Sequence, residues 1–152
     1  MSIEILNETE ARLDPLEFAE LARFVLDSLN VHPQAELAVT FVDTDTISQL
    51  HERWLGEPGP TDVISFPMDE IRPGEPDEPS ESGMLGDVVV CPEVAREQAK
   101  TAGHTAVEEM ELLTVHGILH LLGFDHAEAE DERVMFDLQR RLLLTFLAHR
   151  AP

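Results

Sequence analysis

The chain has 152 residues, with 31 Asp and Glu against 10 Lys and Arg, for a formal net charge of −21. Its length suits one domain, and its 43% hydrophobic content excludes a wholly disordered acidic tail, which could not bury enough apolar area to offset its ordering entropy. The charge excludes a nucleic-acid coat held by a general cationic surface, because such binders neutralise phosphates with Lys and Arg.

Residues 2–7 alternate Ile3 and Ile5 with polar neighbours, which predicts a short edge strand. Asp14 and Pro15 form a helix N-cap and first-turn pair, opening a helix that reaches about Asn30. Residues 36–42, ELAVTFV, predict a second strand. Thr44 or Asp45 is expected to cap a short helix through Ile47, Leu50 and Trp54, which the Gly56–Pro60 stretch breaks.

Residues 62–68, DVISFPM, predict a third strand, with Pro67 placing its far end away from a central ladder. Residues 69–83 hold three prolines, two glycines and six acids, and predict a flexible acidic surface loop within the domain. Residues 86–91, GDVVVC, predict a buried strand. Pro92 starts a helix through Ala95 and Ala99. Thr105 and Glu108 form a capping box for a helix that ends at Gly123. A last helix spans about Ala127 to His149. The pattern contains about four strands and about five helices in a single domain over residues 1–152.

The single cysteine, Cys91, excludes an internal disulfide framework and a Cys-rich metal site, and fits a reducing compartment. Residues 1–7 lack a basic segment and a long apolar run, so no signal peptide is expected. No apolar run approaches the ~18–20 residues of a membrane span. The expected location is the cytoplasm, in soluble form.

Residues 116–126 read HGILHLLGFDH. His116 and His120 are four apart on a predicted helix, so their imidazoles leave one face a turn apart and can converge on one ion. Gly123 supplies the residue type that adopts a left-handed helix terminus, so the chain can reverse and bring His126 back. Three imidazoles leave a fourth position open, as catalytic zinc sites do and structural ones do not. Zinc is the expected metal, with nickel, copper and iron as imidazole-binding alternatives. His32, His51 and His149 read as ordinary structural histidines, and His104 as part of a helix start.

The histidine and glycine spacing resembles that of metzincin zinc peptidases. Those enzymes carry Glu directly after the first histidine as general base. Here that position is Gly117, which has no proton acceptor. The expectation is that a bare backbone at Gly117 leaves room for a bulky substrate beside the metal.

The closer resemblance is to the YbeY family. HGILHLLGFDH resembles its H-G-x-L-H-L-x-G-[YF]-D-H signature, residues 60–67 resemble its P-T-[DN]-V-L-S-F-P strand, and residues 85–92 resemble its L-G-D-I-x-I segment. The resemblance implies a single α+β domain, with a small mixed β-sheet of about four strands packed with about five helices, and one zinc held by His116, His120 and His126. It implies a single-strand-specific endoribonuclease acting in small-subunit rRNA 3′-end maturation and ribosome quality control. The implied partners are ribosomal RNA and the small ribosomal subunit or its proteins, with no membrane and no DNA. The alternative function is a ribosome-assembly factor that binds protein and RNA, with a mainly structural metal.

One position departs from the family pattern. Many members carry an arginine after an aromatic residue, five positions before the proline of the P-T pair; here the aromatic is Trp54 and the next residue is Leu55. Arg53 lies about 200° away on the helix and is expected to face elsewhere.

No catalytic acid or base is assigned. Asp125 can orient a histidine ligand or cap its loop. Asp87 can line the cleft or make a turn, and Thr61 and Asp62 can touch substrate or shape the turn before the strand. Ser65 reads as a strand residue and Cys91 as a small buried hydrophobe. The charge pattern predicts a neutral or positive patch at the histidines, supplied by the ion and by Arg96, Lys100, Arg133, Arg140 and Arg141.

Overall fold

The structure is a computed structural model that describes residues 2–150; residues 1 and 151–152 of the expected 1–152 domain lie outside the described residues. The elements run β1 (Ser2–Asn7), α1 (Pro15–Ser28), β2 (Glu36–Phe41), α2 (Thr44–Leu55), β3 (Val63–Pro67), β4 (Met84–Val90), α3 (Pro92–Ala102), α4 (Ala106–Leu121) and α5 (Ala129–Arg150). Four strands and five helices form one α+β unit. No described helix is long and apolar enough to cross a membrane.

The sheet order is β1-β2-β4-β3. β1, β2 and β4 are parallel, and β3 runs antiparallel at the edge beside β4. The edge position explains how Pro67 is tolerated, since a proline there leaves no central ladder bond unmade. One sheet face, including Val39, Phe41, Val88 and Val90, packs with α1, α4 and α5 into the main core. On the other face Ile47 and Leu50 of α2 pack with Ile64, Val89 and Cys91. Cys91 is fully buried, and burial pushes its thiol pKa up, as for an inert apolar side chain.

Local capping sets most boundaries. Asp14 accepts from the Leu16 N–H, and Thr105 and Glu108 form the full reciprocal box. α2 corrects the expected cap. Its N-cap is Asp43, whose Oδ1 accepts from the Thr46 N–H at 2.8 Å. That bond holds the Asp43 carboxyl below its usual range. The helix therefore starts at Thr44, with the aspartate one residue further out than expected.

The acidic segment also differs from a free loop. β4 begins at Met84, two residues earlier than expected, because Asp69 and Met84 exchange hydrogen bonds that extend the β3–β4 hairpin. Ile71 is buried in the main core, and Ser80 accepts from the His32 N–H at 2.9 Å. The six acids of the segment stay at the surface or part-buried while its one large apolar side chain anchors it.

α4 is the central helix and carries an unusual burial. Glu111 is 1% exposed, and its Oε2 has no hydrogen-bond partner among the described residues. Burial, reinforced by the nearby Glu108 charge, pushes its carboxyl pKa up to about 7 from an ordinary value of 4.5. The folded state thus holds this proton more tightly than the unfolded chain. The resulting stabilisation is complete below pH 4.5 and is lost as pH rises through 7. Glu111→Gln removes the titration, so its stability relative to wild type should rise with pH. The gain at pH 8 should exceed that at pH 5 by on the order of 2–3 kcal/mol, read from urea unfolding at both pH values.

Candidate metal centre

His116 and His120 lie on the last two turns of α4, and His126 lies on the loop that follows. The turn is made at Gly123, which takes φ +96° with its N–H donating to the His120 carbonyl. Only glycine takes that conformation without strain. Arg72, from the acidic segment, packs against the space a Cβ would fill there.

The three rings converge. Centroids are 4.7 Å apart for His116–His120, 5.1 Å for His120–His126 and 5.5 Å for His116–His126. One nitrogen from each lies within 4.8 Å of the others, so the cluster could hold a metal ion. His116 and His120 are half-buried and His126 is exposed, which leaves one side open to solvent. Desolvation lowers the His116 pKa, and desolvation with the two neighbouring imidazoles pushes His120 down to about 4. Both rings are therefore neutral at pH 7, the form in which an imidazole offers a lone pair.

Sequence reasoning missed Gln139. Its Oε1 lies 2.9 Å from Nδ1 of His116, across the α4–α5 contact. Nδ1–H donates to this oxygen, which leaves Nε2 as the free ligand atom. Phe136, one turn earlier on α5, stands 5.9 Å from the rings of both His116 and His126 and walls that side. No sequence motif marks Gln139, because the contact spans 23 residues and needs the packed helices. Gln139→Leu should weaken metal binding by ~10–100-fold, measured by chelator competition.

The open side faces a cleft of about 480 Å³ lined by Leu55, Thr61, Asp62, Ser65 and Pro67 together with the three histidines. Asp62 does enter it. Its Oδ1 accepts from the Val63 N–H at 2.7 Å and its Oδ2 from Gln98 at 3.1 Å, so the carboxylate is held in place. Ser65 donates to the Gly117 carbonyl at 2.8 Å and ties β3 to α4. Asp87 lies on the same sheet face as Val89, in a pocket with Met68 and Met84 and away from the histidines. Asp125 accepts from the Ala127 N–H and caps its own loop. His104 bonds Glu109 at 2.5 Å, and His51 bonds the Gly59 carbonyl, so both serve local structure.

Two expectations are corrected here. A Cβ at Gly117 would meet Val88 Cγ1 at 2.5 Å and Ser65 Oγ at 3.2 Å. The bare backbone thus admits the sheet and leaves no space for substrate. The cations expected near the histidines do not line the cleft, Arg141 included, which is exposed on α5. Arg96 lines a separate cavity of about 610 Å³ with Glu8, Glu10, Asp43 and Glu93, while Arg140 lines a groove with His104 and Phe136. Lys100 pairs with Glu97, and Arg133 with Glu130. Among the described residues lining the histidine cleft there is no Lys or Arg, and Leu55 occupies the rim.

An α+β unit that gathers three imidazoles at a helix end, with an open side over a cleft, defines a candidate three-histidine metalloprotein. Residues 4–147 match the family model described as Endoribonuclease YbeY. Endoribonuclease YbeY of Beutenbergia cavernae is 69% identical over 150 residues, covering 99% of this chain and 100% of the relative. Endoribonuclease YbeY of Clavibacter sepedonicus is 60% identical over 146 residues, covering 96% of this chain and 95% of the relative. The solution structure of TM1509 from Thermotoga maritima is similar at a TM-score of 0.64 and 26% identity, covering 97% of this chain and 90% of that one. The chain belongs to the YbeY family.

Proposed function

We propose that the protein is a zinc-dependent, single-strand-specific endoribonuclease of the cytoplasm, acting in small-subunit rRNA 3′-end maturation and ribosome quality control. The observation that carries this reading is the convergence of His116, His120 and His126 beneath an open cleft. The relatives named endoribonucleases support RNA as substrate. Ribosomal RNA and the small ribosomal subunit or its proteins are the partners proposed.

The donor set fits zinc, because three neutral nitrogen ligands with one open position is a common catalytic arrangement for that ion. A bound zinc ion supplies Lewis acidity toward a phosphoryl oxygen and acidifies water. The chain's own residues prepare the site. Burial keeps His116 and His120 unprotonated, and Gln139 orients His116. Asp62, with both oxygens engaged, forms a fixed acceptor wall of the cleft.

A second reading has one specific observation in its favour. Leu55 lines the cleft where many members have arginine, so no side-chain cation of the lining meets a phosphate. That fits an assembly factor with a mainly structural metal. The deciding experiment incubates purified protein with a single-stranded RNA of the small-subunit 3′ end and with its duplex. Endonucleolytic products from the single strand, abolished by chelation and restored by zinc, are expected. No cleavage with any divalent metal, together with unfolding on chelation, would overturn the nuclease reading in favour of the assembly factor.

A further inference from the structure

Trp54 is the chain's single tryptophan, and it is 60% exposed. It sits in the last turn of α2 beside Leu55, which is 55% exposed and lines the histidine cleft. Its indole meets Phe66 edge-on, with centroids 6.4 Å apart and planes at 78°. Phe66 packs with the Ile64, Val89 and Cys91 cluster on the α2 face of the edge strand β3, while its neighbour Ser65 lines the cleft on the other face, so Trp54 stands across the β3 edge from the histidines. The Arg53 guanidinium stands over the indole, 5.3 Å from its centroid. Trp54 and Leu55 are exposed side by side, and adjoining exposed apolar side chains, unlike a single one, point to a contact surface.

We propose that Trp54, next to the cleft-lining Leu55, is a stacking platform for a base of single-stranded RNA that crosses the β3 edge on its way from the histidine cleft, with Arg53 backing the ring. This rests on the nuclease reading above. The cleft lining offers no Lys or Arg, and the chain as a whole carries −21, so phosphate attraction is a weak source of affinity. Stacking on an aromatic face supplies affinity that needs neither a basic surface nor a particular base. Arg53 adds a cation–π contact and a positive charge next to the strand. The stack also accounts for strand preference, since a duplex hides the base faces that a single strand presents. Trp54 is a binding residue here and takes no part in the bond cleavage.

The test uses the lone tryptophan as its own reporter. A 12-nucleotide single-stranded oligodeoxyadenylate, which presents the same bases without being an endoribonuclease substrate, is titrated into the zinc-loaded protein. Tryptophan emission should be quenched by the single strand and not by a duplex of the same length. Trp54→Ala should weaken binding about tenfold, measured by anisotropy of a labelled strand, and Trp54→Phe should retain most of it. In RNA cleavage Trp54→Ala should raise KM and spare kcat. Binding without quenching, or Trp54→Ala binding as tightly as wild type, would overturn the proposal, and a protein partner would then be the occupant of this rim. Cleavage with an unchanged KM in Trp54→Ala sinks the stack and keeps the nuclease. Wild-type quenching by the single strand, with anisotropy showing weakened binding in Trp54→Ala but no cleavage by wild type, keeps the stack and sinks the nuclease.

Discussion

His120→Ala is expected to reduce RNA cleavage to background and to leave less than one metal ion bound per chain, while the fold survives. The ligand loss should exceed the ~10–100-fold that removal of an outer hydrogen-bond partner costs, because one of three donors disappears. The fold should survive because α4 is held elsewhere. Val115, Ile118, Leu119 and Leu122 of the same segment are buried in the main core, whereas His120 is only half-buried at its rim. Metal content by elemental analysis, cleavage of single-stranded RNA and far-UV circular dichroism together read the three consequences. A variant that still cleaves points to a contaminating nuclease and removes support from the metal centre. A variant that unfolds at ambient temperature assigns the ion a structural role.

The same helix shows why parts of the site are legible in sequence. A four-residue spacing puts His116 and His120 on one face whatever surrounds the helix, and a glycine three residues later permits the reversal that returns His126. The capping box at Thr105 and Glu108 is equally local, so its residues announce it. The cap of α2 is less legible because Asp43, Thr44 and Asp45 are all competent caps. Choosing among them depends on where β2 ends, and Val42 still donates to the Val90 carbonyl. The start of β4 is hidden for a related reason. Gly83 to Leu85 reads as the tail of a polar loop until Asp69 is seen pairing with Met84.

What the sequence hid is what requires two elements to meet. Gln139 touches His116 only once α5 lies on α4. Ile71 reads as a lone apolar residue in an acidic stretch, yet it enters the main core. The cations Arg96, Lys100, Arg133 and Arg140 follow or precede the site in sequence but are directed to other cavities or to neighbouring acids. Charge bookkeeping over the chain therefore says little about the cleft, whose lining carries Asp62 and no basic side chain. The acidity and a cleft lining without a basic side chain together favour an RNA affinity that is not electrostatic, which is the role proposed for Trp54.

Gly117→Glu recreates the peptidase motif in sequence and should destroy it in structure. The histidine spacing alone invites the idea that a glutamate at 117 would act as general base on the metal side. The backbone there is turned the other way. The added Cβ would meet Val88 Cγ1 at 2.5 Å, and Val88 is fully buried in the strand that forms the middle of the core. Overpacking a closed core costs ~1–3 kcal/mol, and a carboxylate with no partner adds a desolvation penalty of comparable size. The helical gain from replacing glycine, under ~1 kcal/mol, does not offset this. The expected result is a loss of roughly 4 kcal/mol in urea unfolding and no peptidase activity on any casein or peptide substrate. Gly117→Ala isolates the first part of the cost. It should lose on the order of 1–2 kcal/mol, since the methyl must displace Val88 but brings no charge. A Gly117→Glu protein as stable as wild type would show that position 117 faces open space, and the packing of α4 on β4 would need to be redrawn.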